Sequence, residues 1–124
     1  MAKITIRLPY PAKVSQYGDN AYYSGKHWSI RKRDSDYWHD LLLAEAPWDK
    51  GPLRSPVRIT YYWNDRLDLS NHSIMAKMIE DGLKGRLFRD DSRKHVVEIR
   101  HRWHDGGNIK IEIEEVGEDD QTGG

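Results

Sequence analysis

The stretch LDLSNHSIMAK, residues 67–77, sets Asp68, Ser70 and Asn71 within four positions, just where an alternating pattern gives way to a helical one. A carboxylate, a hydroxyl and an amide at such a junction can start a helix, because each accepts hydrogen bonds from unpaired N–H groups. The same groups can begin a metal site. Lys77 lies on the helix that follows, and a separate pair, Asp90–Asp91, comes after it. If Asp68 and that pair converge, carboxylates meet without cationic partners, and a bound divalent cation is a common reason for such an arrangement. Mg²⁺ takes about six oxygen ligands and keeps several waters, so one or two carboxylates plus a substrate phosphate can suffice. Such a centre can activate water and stabilise the leaving oxygen in phosphodiester hydrolysis. Lys77 could hold a phosphate or stabilise the developing charge. As an ordinary surface group it would instead pair with Asp81 one turn later.

The elements that must position these residues follow from periodicity. In KITIRL, Ile4, Ile6 and Leu8 alternate with polar residues, which predicts a half-buried strand stopped by Pro9 and Pro11. From there to Trp28, Gly, Asn, Ser and Tyr suggest a long irregular loop, of a length that compact domains keep for a functional reason. Ser29 reads as the N-cap of a helix to Ala46, with Ile30, Tyr37, Trp38, Leu41 and Leu42 as its apolar stripe and Pro47 as its stop. VRITYYWN alternates as a second strand. The next helix sets Ile74, Met75, Met78, Ile79, Gly82 and Leu83 on one side, and Ser73, Lys77, Glu80, Asp81 and Lys84 on the other. HVVEIRHRW and NIKIEIEE flank the turn-rich HDGG, which predicts a hairpin. The order β-α-β-α-β-β implies an α+β fold, two helices packed on a mixed sheet of about four strands. Residues 1–116 form a single domain in this reading, and 117–124 a flexible acidic tail.

Composition narrows the setting. The chain of 124 residues has no cysteine, which excludes disulfides and thiolate metal sites and suits a reducing compartment, so cytoplasm is the expected location. No segment approaches the roughly 20 apolar residues of a membrane span. The net charge of zero hides an asymmetry, since residues 112–124 carry six acids and no Lys or Arg, leaving the body basic. A basic body can face a polyanion, or simply be a solvated surface. Lys26, Arg31, Lys32 and Arg33 in GKHWSIRKR combine positive charge with an aromatic, as nucleic-acid surfaces often do. Against a helix N-terminus these bases fit poorly with the dipole, a misfit that favours a DNA role. His72 reads as a surface residue or as a group close to a metal or phosphate. His95, His101 and His104 have no spacing that specifies zinc.

LPYP after the first strand, DLSN followed by MAKMIEDGLKGRLFRDDSRKHV, and the final β hairpin together resemble the RusA-type Holliday junction resolvases, over roughly residues 3–115. These are endodeoxyribonucleases often carried by phages and prophages, so the resemblance implies a bacterial host cell. It further implies a Mg²⁺-dependent homodimer (Mn²⁺ as a possible substitute) that nicks four-way DNA junctions. In the family pattern Asp68 matches the first signature acid, Asn71 the signature Asn, Lys77 the helical Lys, and Asp81-Gly82-Leu83 the Asp-Ala/Gly-Leu step. Asp90–Asp91 match the terminal acids, with Asp91 the preferred metal ligand beside Asp68. The loop SQYGDNAYY corresponds to a polar family loop, which makes Asn20 and Tyr22 candidate DNA contacts. Ser70 departs from the pattern, standing where a second acid is expected, and a hydroxyl is a poor substitute for a carboxylate on Mg²⁺. Three readings are open. Ser70 is a cap, and Asp68 and Asp91 hold the metal through extra waters; or Asp65, Glu80 or Asp81 compensates; or the protein binds branched DNA without cutting it.

Overall fold

The computed structural model describes residues 3–18, 22, 28–53, 56–88 and 95–116. Strand β1 (Lys3–Leu8) buries Ile4, Ile6 and Leu8 and exposes Lys3, Thr5 and Arg7, the period-two pattern that a pleated strand imposes. Strand β2 (Val57–Trp63) buries Val57, Ile59, Tyr61 and Trp63 on one face. It also buries Thr60 on the other, where Arg100 and Glu112 flank it in register. Helices α1 (Trp28–Glu45) and α2 (Ser73–Leu83) precede and follow β2, and β3 (Val96–Trp103) and β4 (Ile109–Glu115) complete the chain. The result is an α+β fold with a four-stranded mixed sheet and two helices, in the order that periodicity implied. Among the described residues no helix is long and apolar enough to cross a membrane.

The sheet order is β1-β4-β2-β3, with β4 antiparallel to both neighbours and β3 parallel to β2. The hairpin expected across HDGG does not form. The turn reverses the chain, but β4 passes over the end of β2 and inserts between β1 and β2. The crossing is fixed by His104 N–H donating to the Trp63 carbonyl at 3.0 Å and by the Asn64 side-chain amide donating to the Gly106 carbonyl at 2.8 Å. Burial explains the choice. Between two strands and beneath the helices, Ile109, Ile111 and Ile113 are fully covered, whereas Ile99 on the edge strand β3 stays 46% exposed.

Both helices lie on the face of the sheet that carries these apolar residues. Helix α1 begins at Trp28, so Ser29 is inside its first turn rather than its cap. Its buried line is Asp34, Trp38 and Leu42; Tyr37, expected in the stripe, is exposed, with its ring edge-on to Trp38. Helix α2 buries Ile74, Met75, Ala76, Ile79, Glu80 and Leu83. Its covered face is wider than a single stripe because α1 packs on one flank and β2 on another, where Tyr61 Oη donates to the Ala76 carbonyl at 3.2 Å. Gly82 marks the helix crossing. A Cβ there would come within 2.6 Å of Leu42 Cδ1 and 2.9 Å of His39 Cδ2, so the small residue of Asp81-Gly82-Leu83 has a packing role.

Candidate functional site

After β2 the chain leaves the sheet through Asn64–Asp68 and enters a 3₁₀ turn, Leu69–His72, before α2 begins at Ser73. Asp68 precedes the turn in extended conformation, and Asn71 N–H donates to its carbonyl at 2.8 Å. Asn71 itself (φ −95°, ψ 22°) breaks the helical run, in the bridge region where one turn hands over to another. Although Asp68 occupies the cap position, its side chain makes no capping hydrogen bond and the residue is exposed. Its carboxylate is therefore available to a ligand. Gly18, from the loop after β1, closes against this turn: a Cβ at that position would lie 3.3 Å from the Asn71 side-chain nitrogen and 3.3 Å from Leu67 Cδ2.

Two residues that sequence reasoning undervalued hold the turn in place. His72 is completely buried, not a surface group, and its Nε2 lies 2.9 Å from both oxygens of the Asp65 carboxylate. Its Nδ1 lies 2.9 Å from the Leu69 carbonyl. Both ring nitrogens thus face oxygens, so the ring is held from two sides. Asp65 also accepts from Leu67 N–H at 2.9 Å and from Tyr10 Oη at 2.8 Å, while Tyr10 Oη accepts from Asn64 N–H at 2.6 Å. Burial and the Asp65 charge push the Tyr10 phenol well above its ordinary value, which keeps it protonated as the donor in this chain. The His72 ring stacks on Trp63 with centroids 4.4 Å apart, so the aromatic end of β2 forms its floor. The clamp grips the backbone at Leu67 and at Leu69, one residue on each side of Asp68. Asp65, offered by sequence as a compensating acid, is spent inside this network.

Lys77 and Asp81 lie on the open side of α2 and pair at 3.3 Å, with side chains 62% and 39% exposed. Lys77 lines a shallow groove between α2 and β3 together with Ser73, Glu80 and His101. Glu80, expected on the exposed face, is buried. His101 Nδ1 accepts from Trp63 Nε1–H at 3.0 Å, and its ring stacks on Tyr61. Burial, and then the neighbouring His72, hold His101 below the ordinary histidine value.

Beside the clamp opens a cleft of about 720 Å³ whose lining includes Tyr10, Lys13, Ser15, Asn64, Asp65 and Arg66. Lys13 and Arg66 bring two exposed cations to it from loops about 50 residues apart, a placement that no local pattern could reveal. Arg31, Lys32 and Arg33 are exposed on α1 as the basic stretch implied, with Lys32 pairing to Asp36 at 3.0 Å. Arg33 and Lys13 line a second depression between α1 and the loop after β1. Tyr22 is corrected from DNA contact to core residue: it is 2% exposed and stacks on Tyr17, because the apolar ring fills space under α1. Asn20, Lys26, Asp90 and Asp91 lie outside the described residues, as does the tail 117–124.

No family model matches the chain. No curated protein matches it either. The site must therefore be judged by its own chemistry. Among the described residues no three His, Asp or Glu side chains gather as metal ligands. Asp68 is a hard oxygen donor, exposed and uncommitted, and fits a Mg²⁺ that keeps most of its waters.

Proposed function

We propose that the protein is a metal-dependent endonuclease that nicks four-way DNA junctions as a homodimer. Asp68 and Asp91, with Asp90 beside it, would hold Mg²⁺ or Mn²⁺, Asn71 would orient the ligands, and Lys77 would contact phosphate. The observation that carries this reading is the state of Asp68: an exposed carboxylate at a cap position, left free of any cap bond, on a turn clamped on both sides. The cations Lys13 and Arg66 in the adjoining cleft support a phosphate-bearing ligand. When bound, the metal would activate water and stabilise the leaving oxygen. This chain's own residues would place the phosphate and fix the ligand carboxylates. The test is cleavage of a synthetic four-way junction with Mg²⁺ or Mn²⁺, comparing wild type with Asp68→Asn and Asp91→Asn. Each variant should lose at least about 100-fold in rate, more than the loss typical of removing an outer-shell partner. Undiminished cleavage by both variants refutes the assignment.

A second reading is favoured by a specific observation: of the acids offered in place of Ser70, Asp65 is committed to His72, Tyr10 and Leu67, Glu80 is buried and Asp81 is paired with Lys77. A weakened centre of this kind would bind branched DNA without cutting it. Ser70 is exposed, so Ser70→Asp can be made without disturbing the core. If the wild type binds junctions, with affinity falling as salt rises, and cuts only after that substitution, the binding reading holds.

A further inference from the structure

Two helices cover the apolar face of a four-stranded sheet, and the strand left over is β3. The face that is buried as Ile59, Tyr61 and Trp63 in β2 continues in register as Ile99, His101 and Trp103. There it stays open: Ile99 and Trp103 are 46% and 48% exposed, and Val97 at the bulge is 36% exposed. The backbone edge is open as well. His104 N–H turns inward to Trp63 O, so along this strand the even-numbered residues direct their N–H and C=O groups toward β2, and Ile99, His101 and Trp103 direct theirs outward. Among the described residues no strand lies beyond β3. The opposite edge, β1, is built differently, with Lys3 and Arg7 exposed along it and Pro9 just past its end, the usual protection against strand addition. β3 carries an apolar strip instead.

We infer that β3 pairs antiparallel with β3 of a second copy of this chain, about a two-fold axis at Ile99, joining two sheets into one of eight strands. Charge selects both the partner and the register. Glu98 already takes Arg58 and Arg100 of its own chain at 2.6 and 2.7 Å yet stays 40% exposed; with Ile99 opposite Ile99 it also faces Arg100 of the other copy, giving two opposite-charge pairs and no like-charge pair. An axis at Arg100 sets Arg100 against itself, and one at His101 sets Arg100 against Arg102 twice. On the other face, Ile99 meets its own copy, Val97 meets His101 and Trp103 meets His95, so the exposed side chains gain neighbours across the seam. Ile99 is one of the outward-facing residues, so it also supplies the paired N–H and C=O groups at the axis. The pairing gives a surface to the homodimer proposed above and rests on that reading only for its use. A dimer that cuts no DNA would refute the nuclease and leave this inference standing.

The chain has no cysteine, so single-cysteine variants report cleanly. Across such a pair the Cα atoms are about 5.5 Å apart, within the range a disulfide spans. Under mild oxidation Ile99→Cys should give a covalent dimer, while Val97→Cys, whose partner position is four residues along the strand, should not. Adding Arg100→Glu to Ile99→Cys turns both attractive pairs repulsive and should slow trapping about tenfold. Arg100→Gln with Ile99→Cys removes the same Arg100–Glu98 pair within the chain but sets no like charges across the axis, so it should trap at close to the Ile99→Cys rate, which separates repulsion between copies from loss of that internal pair. Equal trapping of Cys at 97 and 99, indifference to the charge reversal, or no covalent dimer at 99 in a variant that melts like wild type would each overturn the inference. The last result would leave the strip to a different protein.

Discussion

The buried Asp65–His72 pair makes the most demanding prediction, because its neighbours allow the magnitude to be worked out in advance. Asp65 has three donors around it, from Tyr10, Leu67 and His72, and its side chain is 4% exposed against 0% for His72. His72→Ala removes one donor to that carboxylate, the bond to Leu69 and the stack on Trp63. Removing one partner of a buried, hydrogen-bonded ionisable pair costs about 3–5 kcal/mol. Here Tyr10 and Leu67 still solvate the acid, so the lower end applies, roughly 3 kcal/mol. Asp65→Ala should cost a similar amount, and the double variant much less than the sum, giving a coupling of about 2–3 kcal/mol. Lys77–Asp81 is the internal control, an exposed pair for which about 0.3–0.5 kcal/mol is expected. Urea denaturation of the four proteins in each cycle measures both, and with m near 1–3 kcal/mol/M the single clamp variants should shift by roughly 1–3 M. A coupling for Asp65–His72 no larger than that of the exposed pair would refute the clamp.

Two further outcomes follow from the same packing. His101 is held below its ordinary value by burial and then by His72, so the unfolded chain takes up a proton at higher pH than the folded one. Its contribution to stability is complete above the unfolded value of about 6.5 and is lost as pH falls through the folded value, where a protonated Nδ1 can no longer accept from Trp63. Denaturation midpoints should therefore fall between about pH 7 and 5, and His101→Gln should flatten that slope; an unchanged slope would remove His101 from the account. At Gly51 an added Cβ would overlap the Arg86 carbonyl oxygen and lie 2.8 Å from Leu87 Cα, backbone atoms that cannot swing aside. Gly51→Ala should cost about 1–3 kcal/mol and lower the melting temperature by several degrees, while Gly107→Ala, with nothing within 4 Å, should not lower it.

The elements were legible in the sequence because each is written locally. Alternation of Ile4, Ile6 and Leu8, or of Ile109, Ile111 and Ile113, specifies a strand whatever it pairs with, and Ile74, Met75, Ile79 and Leu83 specify the inner face of α2. Partners are not local. HDGG announces a reversal, but the strand that β4 meets is decided by where three isoleucines can be covered on both sides, and that place lies between β1 and β2. The same limit hid the clamp. Tyr10, Asp65 and His72 are ordinary residues in their own windows, and only the passage of the loop after β1 past the end of β2 brings them together. Glu80 departs from the pattern for a related reason: a polar side chain at one helix position is buried once two neighbours, not one, cover that flank.

Asp65 and Asp68, three residues apart, show how one segment divides acids between two tasks. Asp65 looks inward, where a buried imidazole, a phenol and a backbone N–H surround it, and releasing it to a metal would leave His72 facing an empty place at a cost of several kcal/mol. Asp68 faces solvent, with its backbone held from both sides and its carboxylate uncommitted. A rigid backbone under a free carboxylate is what a ligand needs, since the entropy of fixing the residue has already been lost on folding. A single carboxylate still binds Mg²⁺ weakly when water supplies the other ligands. The clamp therefore sharpens the question that Ser70 raises. With Asp65 withdrawn from the candidates, the proposed metal site needs a second acid from outside the turn, and Asp90–Asp91 is the pair proposed to supply it.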